Sequence, residues 1–202
     1  YTDDLSVYDE EIGEAIEIIR SERDDEPIVL AGHSTGGLIA TLWAHRHPGV
    51  LAGLILNSAW LEMQSMAAWR GAMAPVIGRI ASRNPMWEVP SGGTGHYGRS
   101  LAGRATSGLP IPEGLSADDP SVAGWPIIQE WKRPESYPVP ASWLDAIMAG
   151  HETVEKDVHL ECPVLSMVST SAYVDEEWCE RVFTSDTVLD PVVIAQRSLG
   201  LS

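Results

Sequence analysis

Cysteine is scarce in this chain: of 202 residues, only Cys162 and Cys179 carry a thiol. They form no CxxC pair and no dense framework, so neither structural zinc nor a disulfide scaffold is supported. A reducing, cytoplasmic setting is the matching expectation. Positive charge is also in short supply. Lys and Arg number 13 against 29 Asp and Glu, a formal net charge of −16. That balance repels nucleic-acid phosphates and anionic membrane surfaces, and it reads as a solvated exterior. No apolar run approaches the ~20 residues of a membrane-spanning helix. Repeats and low-complexity segments are absent. No signal peptide is visible, although the chain opens on Tyr1 in mid-pattern, which leaves an upstream segment open. What is present suits one domain of ordinary size: 44% hydrophobic and 21% charged residues, enough for a core and too few charges for a disordered chain.

Hydrophobic spacing gives the order of elements. Val7, Ile12, Ala15, Ile16 and Ile19 recur at helical intervals and predict an amphipathic helix over 6–22. Ser6 with Asp9 reads as its cap, and Asp9, Glu10, Glu11 and Glu14 suit the positive end of its dipole. Pro27 to Ala31 and Leu51 to Asn57 are short apolar runs, read as strands buried on both faces of a parallel sheet. Between them, residues 36–47 read as a helix with Leu38, Ile39, Leu42 and Trp43 inward, stopped by Pro48-Gly49. Cys162 to Ser169 is a third such strand, and Asp190 to Ser198 resumes a helical pattern. Strands alternating with helices over short links predict an α/β, doubly wound sheet.

From about Ser65 to His151 the character changes. Ten prolines and the tryptophans Trp69, Trp87, Trp125, Trp131 and Trp143 fall in this stretch. Proline interrupts long regular elements, and tryptophan supplies large apolar contacts. Met63 to Ile80 reads as partly helical and Ala141 to Ala149 as a short helix, with loops between. A long irregular insertion in a compact enzyme is commonly a lid or a binding element. Its tryptophans either line an apolar pocket or pack the lid onto the core.

The chemistry-bearing motif is Gly32-His33-Ser34-Thr35-Gly36-Gly37, a G-x-S-x-G placed between a predicted strand and a predicted helix. Such a turn lifts the Ser34 hydroxyl out at the sheet edge. Gly32 and Gly36, lacking side chains, are expected to let strand and helix approach. The helix N-terminus favours developing negative charge, and the Thr35 N–H can supply half of an oxyanion hole. A serine hydroxyl needs a histidine base oriented by a carboxylate, in the chain order serine, acid, histidine. Asp175, Glu176, Glu177, Glu180, Asp186 and Asp190 are the acids after the third strand. Asp186, on a loop before a helical pattern, is preferred; Asp190, beside Pro191, reads rather as a helix cap.

The histidine is harder to place. His33, His45, His47, His96, His151 and His159 all precede Asp186. His45 and His47 lie two apart on a helix and face different ways, so they make no metal pair. His96 and His151 fall in the insertion and read as surface or packing residues. The economical expectation places the general base beyond Ser202, and the second oxyanion donor on a loop ahead of residue 6. On that expectation these 202 residues alone do not catalyse.

Ile28 to Gly37 resembles the nucleophile turn of the α/β-hydrolases, and more narrowly that of the serine aminopeptidase S33-like, monoacylglycerol-lipase-like or lysophospholipase-like group. Leu54 to Trp60 is similar to the strand that follows the elbow helix in that group, and Ser185 to Asp190 to its acid loop. The resemblance implies an α/β-hydrolase fold with core segments 1–64 and 156–202 and a cap over 65–155. It further implies Ser34 as nucleophile, Asp186 as acid, an ester substrate of small-molecule size, and no metal or cofactor. A peptidase or thioesterase would use the same serine chemistry. A non-catalytic binding protein of this fold is the alternative that an absent histidine would favour. Oligomeric state leaves no mark in the sequence.

Overall fold

The computed structural model describes residues 2–23, 26–63, 66–90, 95–124, 126–128, 130–132 and 137–201, with backbone alone at 66–69. The chain divides into two compact units. One comprises Tyr1–Val89, Pro140–Val168 and Pro191–Ser202; the other comprises Pro90–Val139 and Ser169–Asp190.

The first unit opens with a short turn at Leu5–Val7 that leads into α1, Tyr8–Glu22. Ser6 does not cap the helix: Asp4 caps the Leu5–Val7 turn, its carboxylate accepting the Ser6 N–H at 2.7 Å, and Val7, the residue before α1, makes no side-chain cap bond. Asp reaches forward two residues to satisfy an orphan donor, whereas the Ser6 side chain is already inside the turn. Strand β1, Val29–His33, is followed by α2, Thr35–Arg46, and strand β2, Gly53–Asn57. The expected strand at Pro27–Ala31 is thus displaced toward its C-terminus, because Gly32 and His33 still pair with Leu56 and Asn57. Helix α3, Met66–Arg83, carries Pro75 within it; a two-residue strand at Glu88–Val89, α4, Ala141–Lys156, β3, Val164–Met167, and α5, Pro191–Leu199, also belong to the unit.

Strands β1, β2 and β3 form a parallel sheet in the order β1-β2-β3, with Leu30 opposite Leu54 and Leu54 opposite Val164. Parallel pairing requires a crossover, and α2 is the crossover between β1 and β2. The core lies on the α2 side: Leu38, Leu42 and Trp43 from α2 meet Leu54 and Leu56 from β2 and Ile147 from α4. Burial on both faces is not what the outer strands show. Val29 is 53% exposed and Leu165 55% exposed, and both alternate with inward residues. The described helices cover one face of the sheet, so a period of two separates apolar residues that are packed from apolar residues that are not.

Helix α4 runs seven residues past the expected end at Ala149. Leu144, Ile147, Met148, His151 and Val154 keep a helical spacing of buried positions through that extension. Gly150 is a packing position here, not a terminator. A Cβ there would lie 3.0 Å from a methyl of Leu42 and 3.0 Å from one of Leu5. Trp143 joins the core periphery with Trp60, ring centroids 6.2 Å apart. Trp87 and Trp131 are exposed, while Trp125 and the Trp69 side chain lie outside the described residues. No helix among the described residues is long and apolar enough to cross a membrane.

The second unit is made of turns and short helical segments. Its His96 ring stacks on Tyr173 and lies tilted against Trp178, Arg99 lies over the Trp178 ring, and Arg104 pairs with Glu180.

Candidate active site

Between His33 and Thr35 the backbone passes from extended to helical in a single residue. That residue is Ser34, at φ 52° and ψ −124°. Among the described residues only Ser34 and Ser58 have positive φ without being glycine. Such a conformation costs on the order of 1–3 kcal/mol and persists only where its surroundings over-determine it. Here the clamp is visible. The Ser34 N–H donates to the Asn57 carbonyl at 3.2 Å, and the Ser34 carbonyl accepts from Gly37 N–H at 3.0 Å and Trp60 N–H at 2.8 Å. The residue is half-buried.

The two glycines expected to open the turn behave differently. A Cβ on Gly32 would stand 2.6 Å from the Gly36 carbonyl oxygen and 2.7 Å from the Gly37 Cα, so no side chain fits. At Gly36 a Cβ would meet nothing within 4 Å. The steric role expected of Gly36 belongs instead to Gly37, where a Cβ would overlap Ala59 Cβ at 2.3 Å. Ala59 follows β2, and the first turn of α2 rests directly on it. Gly37→Ala should therefore lower stability by about 2–3 kcal/mol through overpacking, while Gly36→Ala should be neutral or raise it by about 0.5 kcal/mol. Thermal or urea unfolding of the two variants distinguishes the positions.

Thr35 is the first residue of α2, so its N–H has no acceptor within the helix and faces the positive end of the dipole. His33 is exposed, and its Nδ1 lies 2.9 Å from the Asn57 carbonyl oxygen. A carbonyl only accepts, so Nδ1 carries the proton. Asn57 thus anchors both residues on either side of the His33–Ser34 peptide.

Gly32, His33, Ser34, Thr35 and Gly36 all fall in the first unit; Asp186 belongs to the second. Asp186 is fixed by its own neighbourhood. Its N–H donates to Ser171 at 2.9 Å, its carbonyl accepts from Tyr173 at 2.8 Å, and it bridges Ala172 in a parallel sense. One carboxylate oxygen, Oδ1, accepts the N–H groups of Val188 at 2.9 Å and Leu189 at 2.7 Å. That self-capped turn holds the carboxyl group in one orientation. Asp190 precedes α5 directly.

Five histidine rings are engaged with backbone: His33 with Asn57, His45 with His159, His47 with Trp43, His96 with Asp175 and His151 with Trp60. His159 is exposed. Among the described residues none of them hydrogen-bonds to the Ser34 hydroxyl.

One cluster escapes sequence reasoning altogether. Glu62, with a side chain wholly buried, receives Arg70 Nε at 2.8 Å and Arg197 Nη2 at 2.7 Å, and also the Met63 N–H at 2.9 Å. Glu155 completes the group, paired with Arg70 and, at 2.8 Å, with Arg197. Burial alone would raise the Glu62 carboxyl. The hydrogen bonds from Arg70, Met63 and Arg197 outweigh it and hold Glu62 below the ordinary glutamate value. The group ties the segment after β2 to α3, α4 and α5.

Residues 1–126 match the family model described as serine aminopeptidase, S33. No curated protein matches. Among solved structures, a soluble variant of monoglyceride lipase from Saccharomyces cerevisiae is similar with a TM-score of 0.53 at 14% identity, over 98% of this chain and 57% of that one. A thermostable carboxyl esterase from Bacillus coagulans is similar with a TM-score of 0.51 at 13% identity, over 100% and 61%. A monoacylglycerol lipase from Paleococcus ferrophilus gives 0.48 at 21%, over 94% and 59%. This chain therefore spans about three fifths of the length of the solved chains it resembles.

Proposed function

We propose, for a chain that belongs to the serine aminopeptidase S33 family of the α/β-hydrolases, that Ser34 is the nucleophile of a hydrolase acting on carboxylic esters. The observation that carries this reading is the backbone of Ser34 itself, a strained non-glycine turn placed at the N-terminus of α2 and clamped by β2. In this mechanism Ser34 Oγ attacks the ester carbonyl as a histidine takes its proton. The Thr35 N–H donates to the resulting oxyanion. Collapse of the tetrahedral species expels the alcohol, which takes the proton back, and leaves an acyl-enzyme. Water then repeats the sequence and releases the acid.

Asp186 is the acid of the triad in this reading, and its capped turn supports that role by fixing the carboxyl group. The base in this reading is a histidine; among the described residues none of the chain's six hydrogen-bonds to the Ser34 hydroxyl. The insertion over residues 65–155 is the cap of this reading. Two structures sharing the fold are, by name, a monoglyceride lipase and a carboxyl esterase, which supports ester chemistry over the alternatives.

A fluorophosphonate probe applied to the whole protein tests the reading. The expected result is a single adduct, mapped to the peptide that contains Ser34 and absent from Ser34→Ala. A protein that takes no label, or labels equally without the hydroxyl, is a binding protein of this fold instead.

A further inference from the structure

The residue that grips the back of the Ser34 turn is itself gripped from a distant helix. Trp60 N–H holds the Ser34 carbonyl at 2.8 Å, and the Trp60 carbonyl accepts from His151 Nε2 at 2.8 Å. His151 sits on α4 with no exposed surface, its ring edge-on to the Trp60 indole at 5.2 Å between centroids. Two hydrogen bonds therefore run from an imidazole, through the backbone of one residue, to the carbonyl of the strained serine.

We propose that His151 is a positioning residue for Ser34: by fixing the Trp60 backbone it sets the orientation of the nucleophile's turn. The inference rests on the reading of Ser34 as nucleophile. Its chemistry follows from the acceptor. A carbonyl takes a proton but gives none, so the ring must carry its hydrogen on Nε2, which leaves Nδ1 as a lone pair. That Nδ1 is buried and has no hydrogen-bond partner among the described residues. Burial pushes the ring down to about 4, against the Trp60 bond and the charge of Glu62, with Arg70 and Arg197 adding to the depression. One neutral tautomer thus holds through the neutral pH range. A side chain kept wholly buried with a polar atom unpaired is costly to a core. The packing on Trp60 could be supplied by leucine; the hydrogen bond could not.

The pair His151→Leu and His151→Gln separates packing from positioning. Glutamine can present an amide N–H near the place of Nε2. In the whole protein, His151→Leu should slow fluorophosphonate labelling of Ser34 and lower kcat by about tenfold with KM little changed, the size expected when a reacting atom is slightly misplaced. His151→Gln should recover most of the rate. Circular dichroism must show both folded. Wild-type reaction rates in a folded His151→Leu, or a glutamine variant as slow as the leucine variant, overturn the proposal. If the leucine variant does not fold, nitrogen-15 NMR of the wild type decides alone. A proton on Nε2 with Nδ1 unprotonated from neutral pH to well below pH 6 supports it; a neutral ring with its proton on Nδ1 overturns it. A wild type that takes no label at Ser34 is a separate result, which removes the nucleophile reading and this inference with it.

Discussion

Ser34→Gly should make the protein more stable and leave it inactive. The serine holds φ 52° and ψ −124°, a region that a Cβ makes costly and glycine enters freely. Removing the Cβ relieves strain of about 1–3 kcal/mol. Against that, glycine gives the unfolded chain more freedom, at about 0.4–1 kcal/mol. The net expectation is a gain of about 1 kcal/mol, read as a higher unfolding midpoint. Ser34→Ala is the control. It keeps the Cβ and hence the strain, so its stability should match wild type, yet it loses the hydroxyl. Both variants should hydrolyse esters about 10⁵-fold more slowly than wild type, the scale on which a nucleophilic serine contributes. Differential scanning calorimetry and steady-state rates on the whole protein check the two halves. Equal stability of the glycine and alanine variants would show that the turn is not strained; undiminished hydrolysis in either would remove Ser34 from the chemistry.

This separation of strain from chemistry also explains which parts of the site the sequence discloses. The strand, turn and helix of residues 29–46 depend on neighbours within a few positions, and a glycine pair around a serine records that locally. The parallel order of strands follows from the same short-range grammar of alternating elements. What could not be read depends on residues far along the chain. That Gly37, and not Gly36, meets the segment after β2 follows from where Ala59 arrives, 22 positions away. The continuation of the Ala141 helix past Ala149 is equally unreadable, since Gly150 is held there by Leu42 and Leu5 from distant segments. Trp60 closes a segment that resembles the family's strand and His151 carries no motif, but the link between them is a hydrogen bond across 91 positions that no local pattern records. The alternation of Val29 and Leu165 with inward neighbours is equally hidden, since an apolar run states that both faces are apolar but not which face is covered.

The largest structural effect should come from Glu62, which no pattern marks. Its carboxylate is wholly buried and carries Arg70, itself 6% exposed at the side chain, together with Arg197. Removing one partner of a buried pair leaves a charge without compensation, at about 3–5 kcal/mol. Glu62→Leu is therefore expected to lose that amount in urea unfolding near pH 7. The double variant Glu62→Leu/Arg70→Leu should recover much of it, because the stranded guanidinium is gone and the volume is apolar. The pH dependence has a definite sign. Glu62 is held below its ordinary value in the folded state, so its stabilisation is present in full above the unfolded glutamate pKa of about 4.3 and is lost as pH falls through the lower folded value. The stability gap between wild type and Glu62→Leu should be constant from pH 8 to about 5.5 and close below about 4.3. A gap that instead widened on acidification would mean that Glu62 is protonated in the fold, with Arg70 and Arg197 neutralised by Glu155 alone. Because Glu62 stands two residues beyond Trp60, its loss should also slow the reaction of Ser34 in whatever protein remains folded. The four-residue ion group thereby joins the helices α3, α4 and α5 to the same strand end that clamps the nucleophile.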